Sequence, residues 1–285
     1  MSLRDAGTSP RGKPVLTVHQ VAEFREGIYT WYRTNARPLP WRVTSDPYAI
    51  LVSEIMLQQT QVDRVIGKYA AFLTLFPDFS ALAQASLQEV LGAWQGLGYN
   101  RRALALKQCA ETVMKNNEGT LPYSIEALQA LPGIGPYSAR AIAAFAYGLP
   151  TVFIETNIRA VFIHHFLGNR HGVKDSEILP LVAATLDRTN PRDWYNALMD
   201  YGVTLKKSHG NPARRSAHHV LQTPFRGSNR ELRSRILKAL LATPCLSAEE
   251  IIVLLGADAE KVRLNMAQLE KEGFMRKQRG RFMIK

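Results

Sequence analysis

The stretch Leu131-Pro132-Gly133-Ile134-Gly135-Pro136-Tyr137-Ser138 narrows the folds open to this chain more than any other. It is an apolar-Pro-Gly-apolar-Gly step between two patterns of helical period. Ser124 can cap a short helix carrying Ile125 and Leu128, and Pro136 suits the first position of the helix that follows. Glycines let the backbone turn tightly and come close to another surface with no Cβ in the way. Backbone N–H groups at such a hairpin, leading into a helix start, make an anion site. Gly133, Ile134, Gly135 and Ser138 are therefore candidate phosphate contacts in a helix-hairpin-helix, a device that grips a DNA backbone without reading its sequence. An ordinary tight turn between helices satisfies the same pattern, so the rest of the chain has to decide.

Charge points the same way. The 285 residues carry a net charge of +12, which favours a polyanionic partner. From Lys206 to Lys238 there are nine Lys or Arg and one acid, Glu231. Lys206, Lys207 and Arg226 are the phosphate-binding candidates of that run, the plain alternative being a solvated basic face. A hydrophobic fraction of 46% says globular, with core enough for one large or two to three small domains. No apolar run approaches the ~18 residues of a membrane span. Met1 to Lys13 is polar, without an apolar signal core, so it reads as a mobile leader on a cytoplasmic protein associated with the nucleoid. Cys109 and Cys245 lie on different helical patterns without metal spacing and read as reduced and structural.

Taken in order, Val18, Val21, Phe24, Ile28 and Trp31 mark a first amphipathic helix, ended by Pro38-Leu39-Pro40. Pro47 opens a helix whose run from Ala49 to Leu57 is apolar except for Ser53 and Glu54. A carboxylate in such a run is pushed towards its neutral form, which suits general acid work near neutral pH; simple exposure to water is the bland reading. Val62, Val65, Ile66, Tyr69 and Phe72 mark the next helix. Ser86 with Glu89 forms a capping box. A helix follows from Arg101 to near Gly119, then the hairpin, an extended Phe153-Ile154 and a helix from Asn157 to Phe166. Ser176 and Asp193 are expected to cap two more helices. No alternation long enough for a sheet occurs before residue 270, so the first 225 residues are expected to be all-α. Beyond Pro224, Ser228 with Glu231, Ser247 with Glu250, and Asp258 start three helices. A hairpin around Gln278-Arg279-Gly280 completes a winged helix with Arg276, Lys277, Arg279 and Arg281 on its wing.

With these segments placed, the chain resembles the helix-hairpin-helix-Gly-Pro-Asp superfamily of base-excision DNA glycosylases, and within it the MutY-type adenine glycosylases. The resemblance runs from Leu39 to Gly202. It rests on Leu39-Pro-Trp-Arg42, Asp46-Pro-Tyr48, Ser53-Glu-Ile-Met-Leu-Gln-Gln-Thr-Gln-Val62, Trp94-Gln-Gly-Leu-Gly-Tyr99, Leu131-Pro-Gly-Ile-Gly135 and Met199-Asp-Tyr-Gly202. It implies two helical subdomains gripping DNA, with the target base flipped out because its glycosidic bond cannot be reached in the stack. By position, Glu54 matches the family's general acid. Gln59 and Tyr99 match residues that wedge into the duplex, and Trp41, Arg42, Leu57 and Asn157 match base-pocket positions. Tyr137 falls where the endonuclease III branch carries a Schiff-base lysine, which implies a glycosylase without strong lyase activity.

Three departures qualify the match. Glu155 stands where the superfamily carries its catalytic Asp, and its extra methylene shifts the charge by ~1.5 Å. The segment after Gly202 has none of the cysteines that hold the MutY-type iron–sulfur cluster, so no metal or cofactor is expected, and His209, His218 and His219 lack a zinc spacing. The C-terminal winged helix replaces the Nudix-like domain of that family. The expected architecture is an all-α glycosylase core over 1–226, with 1–42 and 150–226 as one subdomain and 43–149 as the other, followed by a winged helix over 227–285. The expected function is excision of a mispaired or damaged base, adenine first, from double-stranded DNA by a monomer. The alternatives are a thymine or uracil mismatch glycosylase and a non-catalytic DNA-binding adaptor.

Overall fold

A computed structural model describes residues 7–8, 14–221 and 224–285. The leader expected over Met1–Lys13 lies outside them except for residues 7–8. The helices are α1 (Val18–Asn35), α2 (Pro47–Leu57), α3 (Val62–Leu75), α4 (Phe79–Gln84), α5 (Leu87–Ala93), α6 (Arg101–Asn116), α7 (Ile125–Gln129), α8 (Pro136–Tyr147), α9 (Thr156–Phe166), α10 (Asp175–Thr185), α11 (Pro191–Ser208), α12 (Asn229–Ala242), α13 (Ala248–Leu255) and α14 (Ala259–Lys271). The strands are β1 (Gly7–Thr8), β2 (Pro14–Val15), β3 (Leu246–Ser247), β4 (Met275–Gln278) and β5 (Arg281–Ile284). Among the described residues up to 225, the regular structure is helical apart from the short antiparallel pair β1–β2, too brief to leave an alternation in the sequence, and an isolated bridge between Val173 and Ser216.

The chain divides into two compact units. One gathers the described residues up to Ile50 with Tyr123–Gln129 and Ile134–Leu221; the other gathers Leu51–Pro122, Ala130–Gly133 and the described residues of the C-terminal segment.

The core of the first unit is built where α1, α8, α9, α10 and α11 meet. Phe24 and Ile28 of α1 enter it with Phe162 and Ile163 of α9, Leu181 of α10 and Trp194 of α11. Val18, assigned to the apolar face of α1 by spacing, is exposed, because it sits at the helix start ahead of the packed stripe. The starts of α10 and α11 differ from expectation. Ser176 lies inside α10, whose cap position is Lys174. Asn190 caps α11 ahead of Pro191, and Asp193 in the first turn donates its N–H to that cap and accepts from Asn190 Nδ2. An Asn-Pro pair is a stronger helix start than a lone Asp, since proline needs no N–H partner at the first position.

In the second unit Val65, Tyr69 and Phe72 of α3 are buried, and Phe72 meets Trp94 edge-on with ring centroids 5.9 Å apart. Ile66 is exposed, one residue off the packed stripe. Sequence spacing missed α4, a six-residue helix with Asp78 accepting from Ala81 N–H. The Ser86–Glu89 and Ser247–Glu250 capping boxes form as expected; at α12, Glu231 instead reaches back to the N–H of Gly227. Helices α12, α13 and α14 close over Ile236, Leu240, Ile251, Val262 and Met266, completing a winged helix. Its sheet has the order β3-β5-β4, all antiparallel, with the unforeseen β3 pairing Leu246 with Phe282.

Candidate active site and nucleic-acid interface

In the first unit, extended backbone carries Thr151 to Glu155 into α9, and side chains lock it there. Thr151 donates its hydroxyl to the carbonyl of Arg140 at 2.8 Å and accepts from the Tyr195 hydroxyl, through its own carbonyl, at 2.7 Å. Phe153 stacks on Tyr195 at 3.9 Å and meets Tyr137 edge-on at 5.6 Å. Glu155 then caps α9. One carboxylate oxygen accepts from the N–H groups of Asn157 at 2.6 Å and Ile158 at 2.8 Å, and the other from Asn157 Nδ2 at 3.1 Å. The longer side chain curls back on its own helix start, so the additional methylene is accommodated by capping geometry. Burial is the largest influence on this carboxyl and raises its pKa; the two N–H donors and the charges of Lys206 and Arg159 pull the other way. Asn157 keeps a buried Oδ1 with no hydrogen-bond partner among the described residues.

Helix α11 fixes this start. Gly202 packs so closely that a Cβ there would stand 2.5 Å from the Asn157 carbonyl oxygen. One turn on, Lys206 is partly buried; burial lowers its pKa while Glu155 opposes that shift. Lys206 and Glu155 thus lie within reach of each other's charge, whereas Lys207 and Arg226 are exposed.

Arg42 of the Pro40–Arg42 turn is largely occupied. Both its terminal nitrogens donate to Asp200 at 2.7 Å, and Arg37 adds its N–H and Nε to the same carboxylate. Burial alone would raise the pKa of Asp200, but these donors overcome it and hold the carboxyl below its usual range. The Asp of Met199-Asp-Tyr-Gly202 thus ties the Trp41-Arg42 turn to α11. Trp41 beside it is 8% exposed.

In the second unit, Glu54 is partly buried in α2, flanked by the buried Leu51, Val52, Ile55 and Met56. Leu57 closes that helix, and Gln59 follows at φ 55°. Tyr99 sits at φ 48°, the same left-handed region that β-carbon-bearing residues rarely enter. Spacing alone did not reveal what joins these two turns. Arg102 of α6 donates Nη1 to the carbonyls of Ile55, Met56 and Gln58, and Nη2 to Thr60 Oγ1 and the carbonyls of Leu97 and Gly98. Burial pushes this guanidinium down to about 10. One cation thereby caps the C-terminus of the Glu54 helix and pins both positive-φ turns.

At the hairpin, Gly133 has φ 78°, and a Cβ on it would lie 2.7 Å from that of Ala105, so both strain and sterics require glycine. Gly135 is different: φ is −84°, it offers α8 no side-chain cap, and a Cβ there would meet nothing within 4 Å. Ile134 and Ser138 are buried. The basic run is less open than its sequence suggests. Arg215 donates to the Gly168 carbonyl, Arg230 to the Tyr99 hydroxyl, Arg233 to Glu272 and Arg235 to the Leu255 carbonyl. Lys207, Arg214, Arg226 and Lys238 remain exposed, as do Arg276, Lys277 and Arg279 on the wing.

The segment from Leu205 to His219 holds no cysteine. Pro212 and Ala213 are buried in a short turn packed on α9, and Val173 brackets it through the Arg215 carbonyl and Ala217 N–H. These groups offer iron no soft ligand. Cys109 is buried, its thiol pushed up to about 12, and among the described residues no three His, Cys, Asp or Glu gather as a metal site.

A helix-hairpin-helix, a carboxylate within an apolar helix and a second one capping a helix start suit contact with a phosphate backbone and general acid chemistry. Comparison makes this specific. The profile described as HhH-GPD superfamily base excision DNA repair protein matches residues 52–179. An adenine DNA glycosylase of Mycolicibacterium smegmatis is 35% identical over 258 residues, 83% of this chain and 87% of that protein. A thymine/uracil-DNA glycosylase of Pyrobaculum aerophilum is 34% identical over 160 residues, 55% of this chain and 67% of that protein. Among solved structures, a thermostable thymine-DNA glycosylase superposes with a TM-score of 0.59 at 26% identity, over 67% of this chain and 90% of that one. The chain belongs to the HhH-GPD superfamily of base excision DNA repair proteins and is a DNA glycosylase.

Proposed function

We propose that this glycosylase removes adenine from mispaired duplex DNA by hydrolysis, with Glu54 and Glu155 dividing the chemistry. Glu54 delivers a proton to the departing purine as the C1′–N9 bond breaks and its electron pair leaves with the base. Glu155 stabilises the cation developing on the sugar, the use to which paired carboxylates are put in glycoside hydrolysis. Water then adds at C1′ and passes its proton to the Glu155 carboxylate. The observation that carries the reading is the hold on Glu155: three donors fix its carboxylate, and the buried Asn157 Oδ1 beside it stands ready to accept from that water. Glu54 keeps its place in a helix run that is apolar but for it and Ser53, which argues against the adaptor reading. Adenine is favoured over thymine or uracil because the relative named adenine DNA glycosylase aligns over 83% of this chain and the one named thymine/uracil-DNA glycosylase over 55%.

The reaction stops at the abasic site, since the Tyr137 phenol cannot form an imine with the sugar aldehyde. It proceeds without an iron–sulfur cluster, since the chain holds two cysteines and neither lies between Leu205 and His219. Gly135, open above the hairpin, is where a phosphate comes close to backbone. The test is a panel of duplexes carrying A, T, U or hypoxanthine opposite guanine or 8-oxoguanine, incubated with protein and then treated with hot alkali. Alkali-dependent cleavage at adenine is expected, with no adduct trapped by borohydride. Cleavage at T or U alone assigns the alternative specificity, and no cleavage at any base ends the enzymatic reading.

A further inference from the structure

The side chain of Tyr99 is held between two cations from different parts of the chain. Arg102 of α6 places its guanidinium 5.5 Å from the ring centroid, and Arg230 of α12 places its own 5.6 Å away. Arg230 also donates Nη1 to the Tyr99 hydroxyl at 2.7 Å. The ring is thus fixed through its π system and its hydroxyl, on a residue whose backbone is already in a sparsely populated region. Arg230 does not reach out on a loose tether. Helix α12 is fastened to the same neighbourhood by Glu272, which accepts from Arg101 and from Arg233. Arg101 lies two residues after Tyr99, so the winged helix grips the wedge turn at two adjacent points.

We propose that Arg230 is a positioning residue for Tyr99, and that the C-terminal winged helix presets the ring that enters the duplex. The proposal rests on the reading of Tyr99 as the wedge. It gives the C-terminal segment a part in opening the DNA stack, separate from any charge it contributes to affinity. A charge-assisted hydrogen bond and a cation–π contact together bias the ring towards its held pose by about tenfold. Without them, the ring keeps its rotamer freedom and insertion has to order it.

The experiment uses the full chain and a duplex with a tetrahydrofuran abasic analogue beside 2-aminopurine, whose fluorescence rises when its stack is broken. Protein is kept saturating, so differences in affinity drop out. Tyr99→Ala is expected to abolish most of the fluorescence rise. Arg230→Met should lower the insertion equilibrium about tenfold, and Tyr99→Phe, which loses the hydroxyl alone, about threefold. In the Tyr99→Phe background Arg230→Met should cost less than in the wild type, and Arg230→Lys should restore part of the signal. If Arg230→Met melts too low to assay, Tyr99→Phe reads the same bond from its other end. A wild-type fluorescence rise from bound Arg230→Met, with Tyr99→Ala dark, overturns the proposal and makes Arg230 a phosphate contact. A wild-type rise from Tyr99→Ala removes the wedge reading itself.

Discussion

Replacing Gly202 by alanine should destabilise this protein, against the usual sign of a Gly→Ala change within a helix. Alanine is favoured over glycine at such a position by ~1 kcal/mol. At Gly202, however, the new methyl would sit 2.5 Å from the carbonyl oxygen of Asn157, 2.8 Å from its Cβ and 2.9 Å from its carbonyl carbon. None of these is the tip of a flexible side chain, and the Asn157 N–H and amide are already held by Glu155. Relief requires α11 and the start of α9 to part by several tenths of an ångström. Overpacking of this kind costs up to ~3 kcal/mol, leaving a net loss of ~2 kcal/mol and a melting point lower by ~4–8 °C for a chain of this size. The same displacement moves the Glu155 carboxylate, and misplacement approaching 1 Å costs ~100-fold in rate. Calorimetry and single-turnover excision at 25 °C would be run beside Gly27→Ala in α1, where a Cβ meets nothing within 4 Å and should stabilise. A Gly202→Ala protein melting at or above wild type would refute the steric argument.

Glu155→Gln should raise the melting point at neutral pH while reducing excision ~10²–10³-fold. Burial raises the folded pKa of Glu155, so its stabilising share is full below the unfolded carboxyl value and is lost as pH rises through the folded one; the gain of the Gln variant should therefore fade towards pH ~4. Neutralising the exposed wing residues Arg276, Lys277 and Arg279 together should weaken duplex binding and lower the slope of log K against log salt by up to ~0.9 per lost phosphate contact, with excision of bound DNA retained. An unchanged slope in a salt titration would place the wing away from DNA.

What the sequence discloses here is what is local. Capping at Ser86, Ser247 and Asp258, the proline at the start of α8 and the glycine step before it are decided within four residues, and each falls where its residues require. Glu54, the proposed acid, stands out in the chain because one carboxylate interrupts an apolar run. What stays hidden is whatever closes over a long loop. Arg42 and Asp200 are 158 residues apart, and Arg230 and Tyr99 are 131, so no period or spacing records that they meet. The basic run misleads for the same reason: composition counts charges, while Arg215, Arg230, Arg233 and Arg235 have internal acceptors that only the fold supplies. The Glu155 substitution could be seen in the chain, but its curl onto the N–H groups of α9 could not.

Arg102 has a consequence for how the molecule opens. Its guanidinium is shared among acceptors on either side of two turns that lie about forty residues apart in the chain. Neither turn can unfasten without exposing the cation's remaining partners, so their amides share one opening free energy and behave as a single cooperative patch in hydrogen exchange. The Gln59 and Tyr99 turns are then coupled through one cation, and a fluctuation that loosens one weakens the hold on the other.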